Sequence, residues 1–244
     1  IEEKGLTFIK NDKSENFKFN VTDDPKTLDV QDYIFLSVKA HSISNIVDNL
    51  SPIISDQTSI ISAVNGLPWW YFYKTNNKYE NMKLKSVDPK NLQWKYITPE
   101  RSLGCVVYPA AEIKAPGRVY HMEGDRFPIG EPDGTKSNRV QELSKILINS
   151  GLKSPVRKNI RADIWMKLWG NLAFNPMSVL TGETLEEIAN NSSSCSVVKK
   201  MMIEGQAVAE ALGIRFPISL EKRIEGTRNV GAHKTSTLQD YELG

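Results

Sequence analysis

The sequence predicts an α/β domain followed by an all-helical one, and three observations carry that fold class. Two apolar runs, YIFLSVK (residues 33–39) and SIISAV (residues 59–64), flank a short stretch with helical spacing. That is the pattern of a βαβ unit, which implies parallel strands. Strand signals stop at LKSPVRKN (residues 152–159), the predicted domain boundary. Beyond it comes one long apolar helix, RADIWMKLWGNLAFNPMSVLTG (residues 161–182), and then only further helical segments. With 244 residues the chain has room for two modest domains, divided here as 1–156 and 157–244.

Taken in order, TFIK and FKFN in residues 6–21 read as short strands joined by a polar NDKSEN turn. The run at 33–39 has the composition of a strand buried on both faces. Ile43, Ile46, Val47 and Leu50 fall at helical spacing and end at Pro52. The strand at 59–64 ends in Asn65-Gly66, a turn dipeptide. Trp69, Trp70, Tyr71, Phe72 and Tyr73 form an aromatic cluster, more often plain core than a pocket lining. Residues 76–89 are polar and read as a surface insertion. GCVVYP (104–109) is another buried strand, and 111–134 reads as a β-meander with turns at Pro116-Gly117 and Pro132-Asp133-Gly134. A helix over 137–150 stops at Gly151. After the long helix, further helices are predicted at 184–189, 196–212 and 219–229. A last one opens at STLQ, with Ser236 as N-cap and Gln239 reaching back.

The long helix is unusual. Trp165, Leu168, Trp169 and Leu172 form an apolar stripe, yet Ile164, Met166, Phe174 and Met177 keep the other faces apolar too. A helix of that kind is enclosed on every side. Three polar side chains interrupt it four residues apart: Lys167, Asn171 and Asn175. Each step of four turns by only about 40°, so the three share one strip. Pro176 is expected to kink or end the helix there. Spacing alone also fits a lysine that snorkels to water and asparagines that cap. An enclosed lysine, however, must find water or partners, or lose its charge, and the last two conditions are those that catalysis uses.

Composition excludes several classes. A net charge of +2, evenly spread, gives no footprint for nucleic acid or an anionic membrane. The two cysteines, Cys105 and Cys195, lie far apart without a CxxC, and His41, His121 and His233 have no metal-ligand spacing. No metal is expected, and the cysteine usage fits a reducing, cytoplasmic setting. No run reaches the length of a membrane span. The chain contains no strand followed by GxGxxG, and it opens and closes abruptly, which suggests truncation at both ends.

The run IWMKLWGNLAFNP resembles the signature of the ketopantoate reductases (2-dehydropantoate 2-reductases): a lysine, then two asparagines at four-residue intervals, the second before proline. Lys167, Asn171, Asn175 and Pro176 match it position for position. The similarity extends over essentially the whole chain. It implies a Rossmann-like NADP-binding domain, here without its first βα unit, and a helical substrate-binding domain. It implies NADPH as cofactor and ketopantoate, a small 2-keto acid, as substrate, in the cleft between the two domains. Lys167 would be the general acid, its pKa pulled below the usual lysine value by desolvation. Asn171, Asn175, Ser236 and Asn65 would contact substrate.

Read alone, Lys39 and Asn65-Gly66 stand at the carboxyl ends of two parallel strands, where ligands sit, and equally fit a solvated strand end and a turn; the resemblance places Lys39, Asn65 and Gly66 beside the dinucleotide. The glycine-rich phosphate loop of the family has no counterpart here. Neither does a glutamate that the family carries further along the last helix, and Glu242 comes too early for it. On that ground the isolated chain is expected to bind dinucleotide poorly. The expected partner is the small-molecule substrate; a homodimer is allowed by the sequence, and nucleic acid and membrane are not expected.

Two rivals share much of this pattern. The β-hydroxyacid dehydrogenases also use a lysine with an asparagine one turn later, but Asn175-Pro176 sets this chain apart from them. A non-catalytic dinucleotide-binding relative would keep the fold without turnover. A scaffold built on the 69–73 aromatics lacks an interleaved basic stripe.

Overall fold

Burial of the short apolar runs organises the first half of the chain. In the computed structural model, which describes residues 1–244, eight strands form two four-stranded sheets. One sheet has the order β3-β4-β5-β8: β3 (Tyr33–Leu36), β4 (Ser59–Ser62), β5 (Ser102–Cys105) and β8 (Ile129–Gly130). Strands β3, β4 and β5 are parallel, in the register Leu36↔Ser62 and Ser62↔Gly104, while β8 runs antiparallel to β5. Every residue of β4 and β5 is buried, as interior parallel strands require.

Strand β3 departs from expectation. It is shorter than 33–39, and only Leu36 is fully buried while Phe35 is 42% exposed. In the sheet that these residues form, β3 is the outermost strand, and the two-sided burial predicted for it is found in β4 and β5. The connection from β3 to β4 also differs from the predicted helix. It consists of two 3₁₀ segments, Ala40–Asn45 and Val47–Ile53, carrying buried Ile43, Val47 and Ile53. Ser42, Ser44, Asn45, Asp48, Asn49 and Ser51 compete for backbone hydrogen bonds, and Pro52 supplies no N–H, so a regular α-helix is disfavoured.

The second sheet has the order β2-β1-β7-β6. Strands β1 (Leu6–Lys10) and β2 (Lys13–Phe17) form a hairpin paired from Leu6↔Phe17 to Lys10↔Lys13. Its turn residues Asn11 and Asp12 have φ of 49° and 61°, which suits a two-residue turn with both residues left-handed. That tight turn starts the second strand at Lys13, earlier than FKFN. Strands β6 (Ala110–Ala115) and β7 (Arg118–Glu123) make the hairpin predicted at Pro116-Gly117, and Gly117 takes φ 74° there. The expected meander stops at that hairpin, because β8 pairs with β5 in the other sheet.

The aromatic segment is core, with Trp69, Trp70, Tyr71 and Phe72 all at most 5% exposed. The polar stretch after it is less superficial than predicted. Asp88 is buried and accepts from the amides of Gln93 and Trp94, capping α1 (Leu92–Tyr96). Helix α2 (Asn138–Asn149) starts at the N-cap Ser137 and is followed by Gly151 at φ 84°. Its Val140 and Leu143 pack with Ile61, Leu103, Cys105 and Ile129 into one cluster.

The chain divides into two compact units, Ile1–Ile160 and Arg161–Gly244. The second is all helix: most of α3 (Ile160–Thr181), then α4 (Leu185–Asn190), α5 (Ser192–Ala211), α6 (Leu220–Arg228) and α7 (Ser236–Leu243). Trp169, Ala173 and Phe174 of α3 meet Ile188, Ala189, Cys195, Val198, Met202 and Ile224 in its core. Trp169 donates from Nε1 to the Met202 carbonyl at 2.8 Å, which fixes α3 on α5. Helix α3 runs through Pro176 and ends at Gly182, φ 72°. Proline sacrifices one amide hydrogen bond, but burial of Phe174 and Ser178 on either side holds the helix together. No helix is long and apolar enough to cross a membrane.

Candidate functional site

In the first unit, the parallel register decides where the predicted residues stand. Lys39 lies three residues past Leu36, and Asn65 lies three residues past Ser62. Because Leu36 and Ser62 are paired, both residues leave the sheet at its carboxyl edge, where ligands of open α/β sheets sit. Lys39 is exposed and precedes the first 3₁₀ segment, with φ −56° and ψ 140°. Asn65 and Gly66 are exposed as well. Gly66 has φ 91°, a conformation that side chains rarely adopt, and nothing stands within 4 Å of where a Cβ would be. Bare backbone with open space over it, at the same sheet edge as an exposed lysine, suits a phosphate-bearing ligand. A cavity of about 790 Å³ lies at the other end of these strands, lined by Tyr33, Ser59, Arg139 and Glu142. It is not near these residues, since Tyr33 and Ser59 open β3 and β4.

In the second unit, α3 is enclosed over its middle and open at its C-terminal end. Ile164, Trp165, Trp169, Gly170, Ala173, Phe174 and Ser178 are buried, and only Pro176, Leu180 and Thr181 are exposed. Lys167, Asn171 and Asn175 are half-buried, on one strip spanning about 80° of the helix circumference. Polar groups at that depth must be hydrogen-bonded, by the protein or by a ligand.

The strip continues further than sequence reasoning carried it. Ser178 comes eleven residues after Lys167, about 20° from it in rotation. It is wholly buried, and its hydroxyl donates to the Asn175 carbonyl at 2.8 Å. The same oxygen lies 2.5 Å from Oγ1 of Thr235, which in turn accepts from the Leu238 amide at 3.1 Å. Thr235 is therefore the N-cap of α7, not Ser236. Both residues can cap, and burial decides between them: Thr235 is 5% exposed and anchored to α3, while Ser236 is exposed at the first helical position. The correction leaves Ser236 tied to the strip, because its neighbour is bonded to the turn of α3 that follows Asn175. Its position among the first amides of α7 favours an anion. The eleven-residue spacing could have marked Ser178 in advance; nothing in the sequence marked the bond to Thr235.

These features suit acid catalysis at a carbonyl oxygen: an amine, two carboxamides and a helix N-terminus along one line. Known proteins give the arrangement its context. A family model described as "Ketopantoate reductase PanE/ApbA" matches residues 1–134, and one described as "Ketopantoate reductase PanE/ApbA C terminal" matches residues 159–244. The chain is 44% identical to a 2-dehydropantoate 2-reductase of Mesorhizobium japonicum over all of its own length and 75% of that protein. Among solved structures, a putative ketopantoate reductase of Ralstonia solanacearum superposes with a TM-score of 0.94 at 32% identity. That match covers 98% of this chain and 74% of the other. A D-mandelate dehydrogenase solved with NADH shares the fold at a TM-score of 0.81 and 19% identity, over 100% of this chain and 74% of its own. With both halves matched by family models and a relative this similar, the chain belongs to the ketopantoate reductase family.

Proposed function

We propose that this protein reduces 2-dehydropantoate (ketopantoate) to pantoate with NADPH. The observation that carries the proposal is the half-buried strip of Lys167, Asn171 and Asn175 on a helix whose middle is otherwise apolar and at least half-buried. Family membership and the 44% identical 2-dehydropantoate 2-reductase support the reaction. Residues 1–156 would hold the dinucleotide and 157–244 the substrate.

Each residue has a role that its chemistry allows. The Lys167 ammonium stabilises the negative charge growing on the carbonyl oxygen, then gives that oxygen a proton. Asn171, one turn on, holds the lysine or a substrate oxygen, and Asn175 binds a substrate hydroxyl. Ser236, at the start of α7, meets the carboxylate end of the substrate. In the first unit, Asn65 contacts substrate and dinucleotide, while Lys39 and the bare backbone at Gly66 receive the dinucleotide. When bound there, the nicotinamide supplies the hydride. NADPH is chosen over NADH on the family resemblance.

The test is a substrate panel on the intact protein, following NADPH consumption with ketopantoate and with other 2-keto and 3-keto acids. Preferred turnover of ketopantoate supports the proposal. Preferred reduction of a different keto acid, or of an aromatic one, reassigns the substrate while keeping the chemistry. Dinucleotide binding without turnover of any of them identifies a non-catalytic relative.

A further inference from the structure

Helix α3 begins inside the first unit. Its first residue, Ile160, is also the last residue of that unit and is only 1% exposed. The chain arrives there under restraint, because residues 153–157 run beside β8. The Ile129 amide donates to the Pro155 carbonyl at 3.1 Å, and the Arg157 amide to the Ile129 carbonyl at 2.7 Å. Val156 pairs with Ile129 in parallel register.

A pair of glycines receives Ile160. Gly104 of β5 and Gly130 of β8 stand directly opposite each other in the sheet. Glycine weakens a strand, and inside one it marks close approach by another part of the chain. Neither glycine has a positive φ, so backbone conformation does not call for glycine at either position. Space does. A Cβ on Gly104 would lie 2.7 Å from Cγ1 of Ile160, 3.0 Å from its Cγ2 and 3.1 Å from Cη2 of Trp70. A Cβ on Gly130 would lie 3.0 Å from Cβ of Ile160 and 2.6 Å from the Arg157 carbonyl oxygen. The two missing side chains leave a seat on the sheet, and the Ile160 side chain fills it. A β-branched residue keeps one strongly preferred rotamer in a helix, so the plug itself is stiff.

We propose that Ile160 is a positioning residue for the reduction: its seat sets the direction in which α3 leaves the first unit, and with it the alignment of Lys167. The inference rests on the reductase reading, in which the first unit holds the hydride donor and α3 carries the acid. Helix α3 is continuous, and Lys167 comes seven residues after Ile160. At about 1.5 Å per residue the lever is about 10 Å long, so a tilt of about 6° at the seat moves Lys167 by about 1 Å. A misplacement of that size costs a reaction up to about 100-fold.

The test follows ketopantoate reduction by the intact protein and by I160V, I160A, G104A and the double variant I160A/G104A. I160A empties the seat and should lower kcat about 10- to 100-fold, with the KM for NADPH within about twofold of wild type. I160V, one methyl shorter than wild type, should fall between the two. G104A pushes Ile160 out of its seat and should lose kcat as well. In the double variant the new methyl occupies space that Ile160 has vacated, so kcat should exceed that of either single variant. Single-turnover oxidation of bound NADPH separates positioning from mere stability. A structural residue lowers the amplitude, which counts active molecules, whereas a positioning residue lowers the rate constant. A single-turnover rate constant in I160A within about twofold of wild type overturns the inference alone, as do losses that multiply in the double variant. If I160A fails to fold, the single-turnover rate constant of I160V decides: a fall supports the inference, and an unchanged value overturns it. A wild-type protein that reduces no 2-keto acid overturns the reductase reading and this inference together.

Discussion

Replacing Thr235 by valine removes one hydroxyl and keeps the shape of the side chain. That hydroxyl caps α7 by accepting the Leu238 amide, and it bonds to Ser178 of α3. An N-cap contributes about 1 kcal/mol. The second bond contributes about another 1 kcal/mol, because Ser178 keeps the Asn175 carbonyl as acceptor and is not orphaned. Together T235V should destabilise the helical unit by about 2 kcal/mol. At a urea slope of about 1–2 kcal/mol/M, the midpoint should fall by about 1–2 M. Amide exchange at Leu238 should accelerate, and the KM for the keto acid should rise because Ser236 loses its anchor. T235S keeps the hydroxyl and should stay within about 0.5 kcal/mol of wild type. An unshifted urea midpoint together with unchanged exchange at Leu238 in T235V would refute the link between α3 and α7.

Other perturbations address other parts of the account. Trp169 is fully buried and bonded to the Met202 carbonyl, so W169F should cost about 1–3 kcal/mol from a lost hydrogen bond and a small cavity. Urea unfolding measures that cost, and unchanged stability would contradict the packing described for α3 and α5. Burial pushes the Asp133 carboxyl up, but the Thr135 hydroxyl and amide and the Lys74 ammonium outweigh burial and hold it at about 2. A depressed carboxyl stabilises the fold fully above its unfolded value and loses that contribution as pH falls through the folded one. The stability gap between wild type and D133N should therefore be widest above about pH 4 and close as pH approaches 2. A gap independent of pH in urea titrations would contradict the assignment.

Much of this architecture was legible because each element carries its own local signal. The buried runs at β4 and β5, the hairpin at Pro116-Gly117, the helix that stops before Gly151 and the long apolar α3 all follow from composition and spacing. What was not legible depends on neighbours. Nothing within 33–39 says that β3 lies at a sheet edge, since an apolar run reads alike in either place. Pro176 carries a local stop signal that the buried residues around it override. Thr235 and Ser236 are equivalent as letters and differ only in burial. The strip of Lys167, Asn171 and Asn175 was visible because helical periodicity puts its members together. The same periodicity would have added Ser178, but its bond to Thr235 is made by folding, and periodicity gives no notice of that.

The most direct test of the central claim is K167A, assayed for both turnover and dinucleotide affinity. Removal of a general acid should lower kcat for ketopantoate about 100- to 10,000-fold, with NADPH affinity unchanged. A variant that keeps kcat within about tenfold of wild type would show that the proton comes from elsewhere.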